Sequence, residues 1–135
     1  MDDIEAVKQL KARYFRTMDT KDWAGMREVF APDVHIDVSA DGAGVFDDAD
    51  SFMAMLEDVL RDVVTVHHGH MPEIELTSPT TATGLWAMED RLRFPEGGPI
   101  SELHGYGHYH ETYVKLDDAW RIQSMRLDRL RRDVT

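Results

Sequence analysis

Seven histidines stand in a chain of 135 residues that contains no cysteine. Acid, base or metal chemistry must therefore rest on His, Asp, Glu, Tyr or Lys. Six of the seven fall in two clusters, one of His67, His68 and His70, the other of His104, His108 and His110. Imidazole ordinarily changes charge near neutral pH, so such clusters point to proton transfer or to metal binding. Both lie in stretches of alternating Val, Thr, Ile and aromatic residues, which read as strands, and successive strand residues face opposite ways. His68 and His70 thus share one face, and His67 shares the other with Thr65. His104, Tyr106, His108 and His110 share a face opposite Gly105, Gly107, Tyr109, Glu111 and Tyr113. The glycine-bearing face is expected to leave room for a ligand.

The pairs His68-x-His70 and His108-x-His110 have a spacing that metal sites use. A carboxylate is then needed nearby, yet Glu111 has the wrong parity for His108 and His110 and nothing fixes a third ligand. Exposed or interface histidines are the simpler reading, and a metal site ranks second to it. Asp19 sits where the first helix should end, where the helix dipole disfavours a carboxylate by a few tenths to about 1 kcal/mol. It is either a turn residue bonding the amides of Asp19-Thr20-Lys21-Asp22 or a functional acid. Tyr14, one turn earlier, is either an ordinary core tyrosine or a donor into a site. Local spacing leaves both choices open.

The elements that must position these groups follow from apolar periodicity. Ile4, Val7, Leu10, Tyr14 and Met18 make one face of a helix over residues 3 to about 18. Asp22 can cap a short second helix through Trp23, Met26, Val29 and Phe30, ended by Ala31-Pro32-Asp33. Val34, Ile36 and Val38 alternate as a short strand before a turn at Asp41-Gly42 and a loop through Gly44. Phe52, Met55, Leu56, Val59, Leu60 and Val63 keep helical spacing after the acids Asp47, Asp48 and Asp50. Four strands then follow, over about 64–77, 82–94, 101–116 and 119–130, cut by Ser78-Pro79-Thr80, by Pro95 to Pro99 and by Asp117-Asp118. Strands that long must twist and bend, with Gly69 and Pro72 as expected bulges. Helices first and antiparallel strands after give an α+β domain spanning 1–135, three helices covering one face of a curled sheet.

Lys plus Arg number 15 and Asp plus Glu 26, a net charge of −11 that repels phosphate backbones, so nucleic acid is not an expected partner. No apolar run suits a membrane span, and Asp2, Asp3 and Glu5 are unlike a secretory signal, so a cytoplasmic protein is expected. Arg126, Arg129, Arg131 and Arg132 read as a solvated edge pairing with the abundant acids, although Arg129 could reach an acidic substrate.

The ordered set Tyr14-x4-Asp19, Asp22-Trp23, Phe30-Ala31-x-Asp33-Val34, His67, Tyr109 and Trp120-Arg121-Ile122 resembles the SnoaL-like branch of the nuclear transport factor 2-like superfamily over essentially the whole chain. The resemblance implies a cone, a curved antiparallel sheet around an apolar pocket closed by the N-terminal helices. Members such as scytalone dehydratase, bile acid 7α-dehydratase and hexachlorocyclohexane dehydrochlorinase use a His and Asp pair to remove a proton in an elimination. The matching residues are His67 and Asp19, and the dehydratase-like tyrosine matches Tyr14. On that basis His67 is the expected base, Asp19 its partner and Tyr14 a donor to a substrate oxygen. The expected activity is a cofactor-independent lyase or isomerase acting on a hydrophobic cyclic molecule such as a steroid or polyketide. Trp23, Trp86, Met88, Tyr109, Met125 and Leu127 would line the pocket, with Ala82 and Gly84 keeping the sheet open, although each singly suits ordinary core packing. The relatives' Ser, Asn and Arg substrate groups have no evident counterparts, so substrate identity does not carry over. The alternative is a catalytically silent binding protein of the same fold. Curved sheets of this kind often bury their outer face against a second copy, so a homodimer or homotrimer is expected.

Overall fold

In the computed structural model, which describes residues 2–135, each of the three helices opens on an aspartate that caps it. Asp2 accepts from the Glu5 amide at 2.8 Å ahead of α1 (Asp3–Asp19), and Asp22 from the Gly25 amide at 3.0 Å ahead of α2 (Trp23–Arg27). Asp48 accepts from the Ser51 amide at 2.7 Å and the Ser51 hydroxyl at 2.8 Å ahead of α3 (Ala49–Leu60). These caps satisfy first-turn amides that would otherwise lack partners. The buried residues of α1 are Val7, Leu10, Lys11, Tyr14, Phe15, Thr17 and Met18, the expected stripe with one cation in it but without Ile4, which is exposed at the helix start.

The strands are β1 (Phe30–Asp37), β2 (Val45–Phe46), β3 (Val64–Ser78), β4 (Thr81–Arg93), β5 (Glu102–Leu116) and β6 (Ala119–Val134), in the order β2-β1-β6-β5-β4-β3. The last four form the expected antiparallel meander. β5 and β6 are joined by Asp117 and Asp118 at φ 50° and 64°, a two-residue turn whose twist suits a hairpin. The sheet as a whole is mixed, because β1 runs parallel to β6, with Ile36 opposite Met125. The expected all-antiparallel sheet is corrected there. Sequence order hides this pairing, since β1 and β6 lie at opposite ends of the chain.

Three boundaries also differ. Helix α2 stops at Arg27, Val29 lies in the turn that follows and Phe30 opens β1, both buried in the core. Ala31-Pro32-Asp33 lies within the strand, where the ladder with β6 is interrupted between Phe30 and His35; proline, lacking an amide hydrogen, fits such a gap. The expected loop through Gly44 leads into β2. Among the expected bulges, Pro72 lies in the irregularity between His70 and Glu73, beside Met71 at φ 22°, but Gly69 stays in register opposite Met88. A Cβ at Gly69 would lie 2.7 Å from the Phe15 ring, so its role is to let α1 approach the sheet.

The space on the glycine-bearing face of β5 is filled by the protein. A Cβ at Gly105 would collide with the Arg129 guanidinium and the Asp90 carboxylate, and one at Gly107 with the Asp128 carbonyl. The Tyr113 ring lies over Gly84 in the same way, with its hydroxyl 2.6 Å from where a Cβ would stand. Among the described residues, no helix is long and apolar enough to cross a membrane.

Candidate active site

Asp19 is the last residue of α1 and faces β3, where it accepts three hydrogen bonds. The His67 amide reaches Oδ2 at 2.8 Å, the His67 Nδ1 reaches Oδ1 at 2.7 Å, and the Thr65 hydroxyl donates to Oδ1 at 2.9 Å. These bonds offset the unfavourable position at the helix end. They also hold the imidazole by backbone and ring together, and Phe15 stacks beside it with centroids 6.2 Å apart. A carboxylate at Nδ1 places a proton there, so in the neutral form of the ring Nε2 is the acceptor. The His67 side chain is only 8% exposed.

Nε2 faces a second carboxylate. Asp90 Oδ2 stands 3.7 Å from it, beyond hydrogen-bond range. Asp90 is buried and takes a bidentate pair from Arg129 at 2.7 and 2.9 Å. Arg129 reaches on to Asp41 at 2.9 and 3.2 Å, and Arg132 bonds the same carboxylate at 2.6 Å. Burial works against the Arg129 charge, but its bonds to Asp90 and Asp41 outweigh that and raise its pKa. The chain of ions ties the 3-10 turn Ser39–Asp41 to β4 and β6.

His67, Asp90 and Arg129 line a cavity of about 250 Å³, together with Tyr14 and Tyr109. Met18, Phe52, Leu56 and Leu127 are among its apolar side chains. The Tyr14 and Tyr109 hydroxyls lie 3.4 Å apart, and burial raises the pKa of both, keeping them protonated donors.

The structure therefore brings together Tyr14, Asp19, His67, Tyr109 and Leu127. It places the other expected wall residues elsewhere. Trp23 packs partly buried against the core, outside the lining. Trp86 donates its indole N–H to Tyr113 at 3.0 Å, and the Met88 sulfur lies 3.9 Å from Arg129 Nη1. Met125 lies beside Lys11 and borders a separate trough of about 690 Å³ that includes His35, Glu73 and His110. Met88, Trp86 and Met125 have the inward parity the expectation needed, but neighbouring side chains fill the space before them.

Sequence reasoning missed Asp90, Asp41 and the buried pair of Lys11 with Glu111, and it set Arg129 on a solvated edge. A signal was present for three of these. Lys11 falls on the helix face of Val7, Tyr14 and Met18, Asp90 continues the inward parity of Trp86 and Met88, and Arg129 lies two residues beyond Leu127. A charge at an apolar-parity position marks a buried ion. Among the described residues, no three His, Cys, Asp or Glu are arranged to hold a metal. His68 and His104 stand 3.8 Å from Glu89, and His110 lies 3.0 Å from Asp128.

The SnoaL-like domain model matches residues 1–126. A probable cyclase of Gibberella zeae is 24% identical over 92% of this chain and 89% of its own length. A scytalone dehydratase of Aspergillus fumigatus is 27% identical over 92% of this chain and 80% of its own. A solved hexachlorocyclohexane dehydrochlorinase superposes with a TM-score of 0.85 over 97% of this chain and 87% of that one, at 15% identity, a likeness of fold. These neighbours fit the wider nuclear transport factor 2-like superfamily, and the named homologues indicate a family of lyase and isomerase type. The chain belongs to the SnoaL-like domain family.

Proposed function

We propose that this protein is a cofactor-independent lyase or isomerase, with His67 as general base on a hydrophobic cyclic substrate. The observation that carries the reading is the His67 ring, whose Nδ1 is tied to Asp19 while Nε2 opens on the cavity. In this reading sheet and helices wrap the cavity as a cone, and the apolar side chains hold the substrate ring. Nε2 takes the proton α to a carbonyl as the C–H pair becomes the new double bond. The β C–O bond breaks, and the departing hydroxide takes a proton from the imidazolium, so water leaves and the base is restored. Without a leaving group the same proton returns at another carbon, and the double bond shifts. Asp19 stabilises the imidazolium in between, and positioned base catalysis of this kind is worth on the order of 10² to 10⁴ in rate. Tyr14 donates to the carbonyl oxygen as it gains charge.

The cavity of about 250 Å³ lies below the common range for drug-sized ligands. It suits a one- or two-ring polyketide-type phenol or cyclic enone better than a steroid. A thermal-shift panel of those three classes on wild type and His67→Ala, with masses read after incubation, tests the reading. The expected result is a stabilising ligand that loses the mass of water, or isomerises at constant mass with a changed ultraviolet spectrum, only with wild type. Equal shifts and unchanged ligand in both proteins would leave a binding protein in its place.

A further inference from the structure

The mechanism above does not use the ion pair of Lys11 with Glu111, in the heart of the core. Lys11 Nζ bonds Glu111 Oε2 at 2.6 Å, and neither side chain has any solvent exposure. A buried ion pair commonly gives no more stability than apolar residues of the same volume, so its presence calls for another reason. Its surroundings supply one. The ammonium lies 3.5 Å from the centroid of the Tyr109 ring and 3.8 Å from that of Tyr14, the two phenols that reach the cavity. Glu111 cannot swing away, because its other oxygen accepts from the Tyr113 hydroxyl at 2.6 Å and Trp86 in turn bonds that hydroxyl at 3.0 Å.

We infer that Lys11 is a positioning residue whose ammonium, pinned by Glu111 against the Tyr14 and Tyr109 rings, strengthens both hydroxyls as donors to the substrate oxygen. A cation on a ring face is attracted by the π electrons and withdraws density from them, which makes the phenol O–H more acidic. The two hydroxyls have no acceptor among the described residues other than each other, so a substrate oxygen is the group they are free to serve. That last step rests on the function proposed above; the coupling of the charge to the two rings does not.

The groups around Lys11 are Glu111 and Tyr109 on β5, Tyr14 and Phe15 on its own helix and the uncharged Met125 sulfur on β6. Asp90, Asp41, Arg129, Arg132 and His67 lie around the same cavity, and Tyr113 touches Glu111. Burial pushes the Lys11 pKa down to about 8 against the pull of Glu111, while burial raises those of Tyr14 and Tyr109. Raising the pH through that value is expected to discharge the lysine while both phenols stay protonated.

The full chain carrying ¹³C at the tyrosine Cζ, assigned with Tyr14→Phe and Tyr109→Phe, is titrated from pH 6 to 10 by nuclear magnetic resonance. The Tyr14 and Tyr109 signals are expected to move together with one midpoint near pH 8. The step should survive His67→Ala and vanish in Lys11→Met/Glu111→Gln, in which no lone charge is left buried. Should that variant not fold, Lys11→Arg keeps a charge that does not titrate in this range and must also flatten the step. Flat signals in wild type, or a step that persists without Lys11, would overturn the inference. With a substrate from the ligand panel, Lys11→Met/Glu111→Gln should lower kcat about tenfold with KM little changed, and Lys11→Arg should recover most of it. A panel without turnover beside an intact titration step sinks the proposed reaction alone, and turnover with no step sinks the role of Lys11 alone.

Discussion

Strands β3 and β5 carry histidine or tyrosine on both faces, and a step of one residue separates two different environments. Inward, His67 is held at ring and backbone by Asp19, and Tyr109 is buried over Lys11. Outward, His68 is 61% exposed and has only Glu89 at 3.8 Å, and His110 shares Asp128 with Arg126 at a half-exposed site. His104 differs from its outer neighbours in having a buried Nε2 without a hydrogen-bond partner. The contrast shows that a count of histidines says little about chemistry. What distinguishes His67 is a carboxylate that fixes one ring nitrogen and a cavity in front of the other.

The largest expected effect therefore falls on the anchor. Asp19→Asn keeps one oxygen, for either the His67 amide or the pair of donors that share Oδ1, but removes the charge that in the proposed reaction stabilises the imidazolium. Turnover of the substrate found with wild type should fall by about 10² to 10⁴, read by steady-state kinetics. The ¹⁵N shifts of His67 should change from a single Nδ1–H tautomer to a mixture. In the same assay His110→Ala should stay within about twofold of wild type, since its carboxylate partner is half exposed and its ring lies outside the cavity lining. A loss from His110→Ala as deep as that from Asp19→Asn would break the comparison between the faces.

Next in size is a stability difference between two arginines of β6. Arg129→Met leaves Asp90, only 3% exposed, without its partner, and urea unfolding should show a loss of about 3 kcal/mol or more. Arg126→Met opens a pair in which both side chains are about half exposed, and the loss should be below about 1 kcal/mol. Equal losses would mean that burial is not what separates these two ion pairs.

Much of this arrangement was legible in the sequence, for reasons that differ by element. The helical stripes of α1 and α3 and the meander from β3 to β6 follow from period and turn chemistry, which act locally. The pairing of β1 with β6 joins residues some ninety positions apart, and no local pattern encodes it. Asp19 and His67 were singled out by a resemblance, and spacing alone left Asp19 undecided. The wall residues were legible as buried but not as pocket, because strand parity gives the direction of a side chain and not what stands in front of it. Trp86 points inward and meets Tyr113, whereas Leu127 points inward and meets the cavity. Arg129 was set among solvated charges because four arginines in seven residues resemble a charged edge. Only the fold shows that Gly105, by lacking a Cβ, leaves room for its guanidinium beside Asp90.

The smallest expected effect is the most direct check on the outer face. His68 adjoins His67 in sequence, so a substitution there disturbs the same stretch of β3 while pointing away from Asp19. Its Nδ1 to Glu89 distance of 3.8 Å is too long for a hydrogen bond, and the ring packs only edge-on against His70 with centroids 6.4 Å apart. His68→Ala should therefore change stability by no more than about 0.5 kcal/mol, as for exposed substitutions generally, and shift Tm by under about 2 °C. Running the melts at two protein concentrations a hundredfold apart makes the result more pointed. A larger loss that grows on dilution would mean that this face is covered by a second copy, because assembly makes Tm depend on concentration. A larger loss independent of concentration would place His68 in the monomer's own packing and remove the distinction between the two faces of β3.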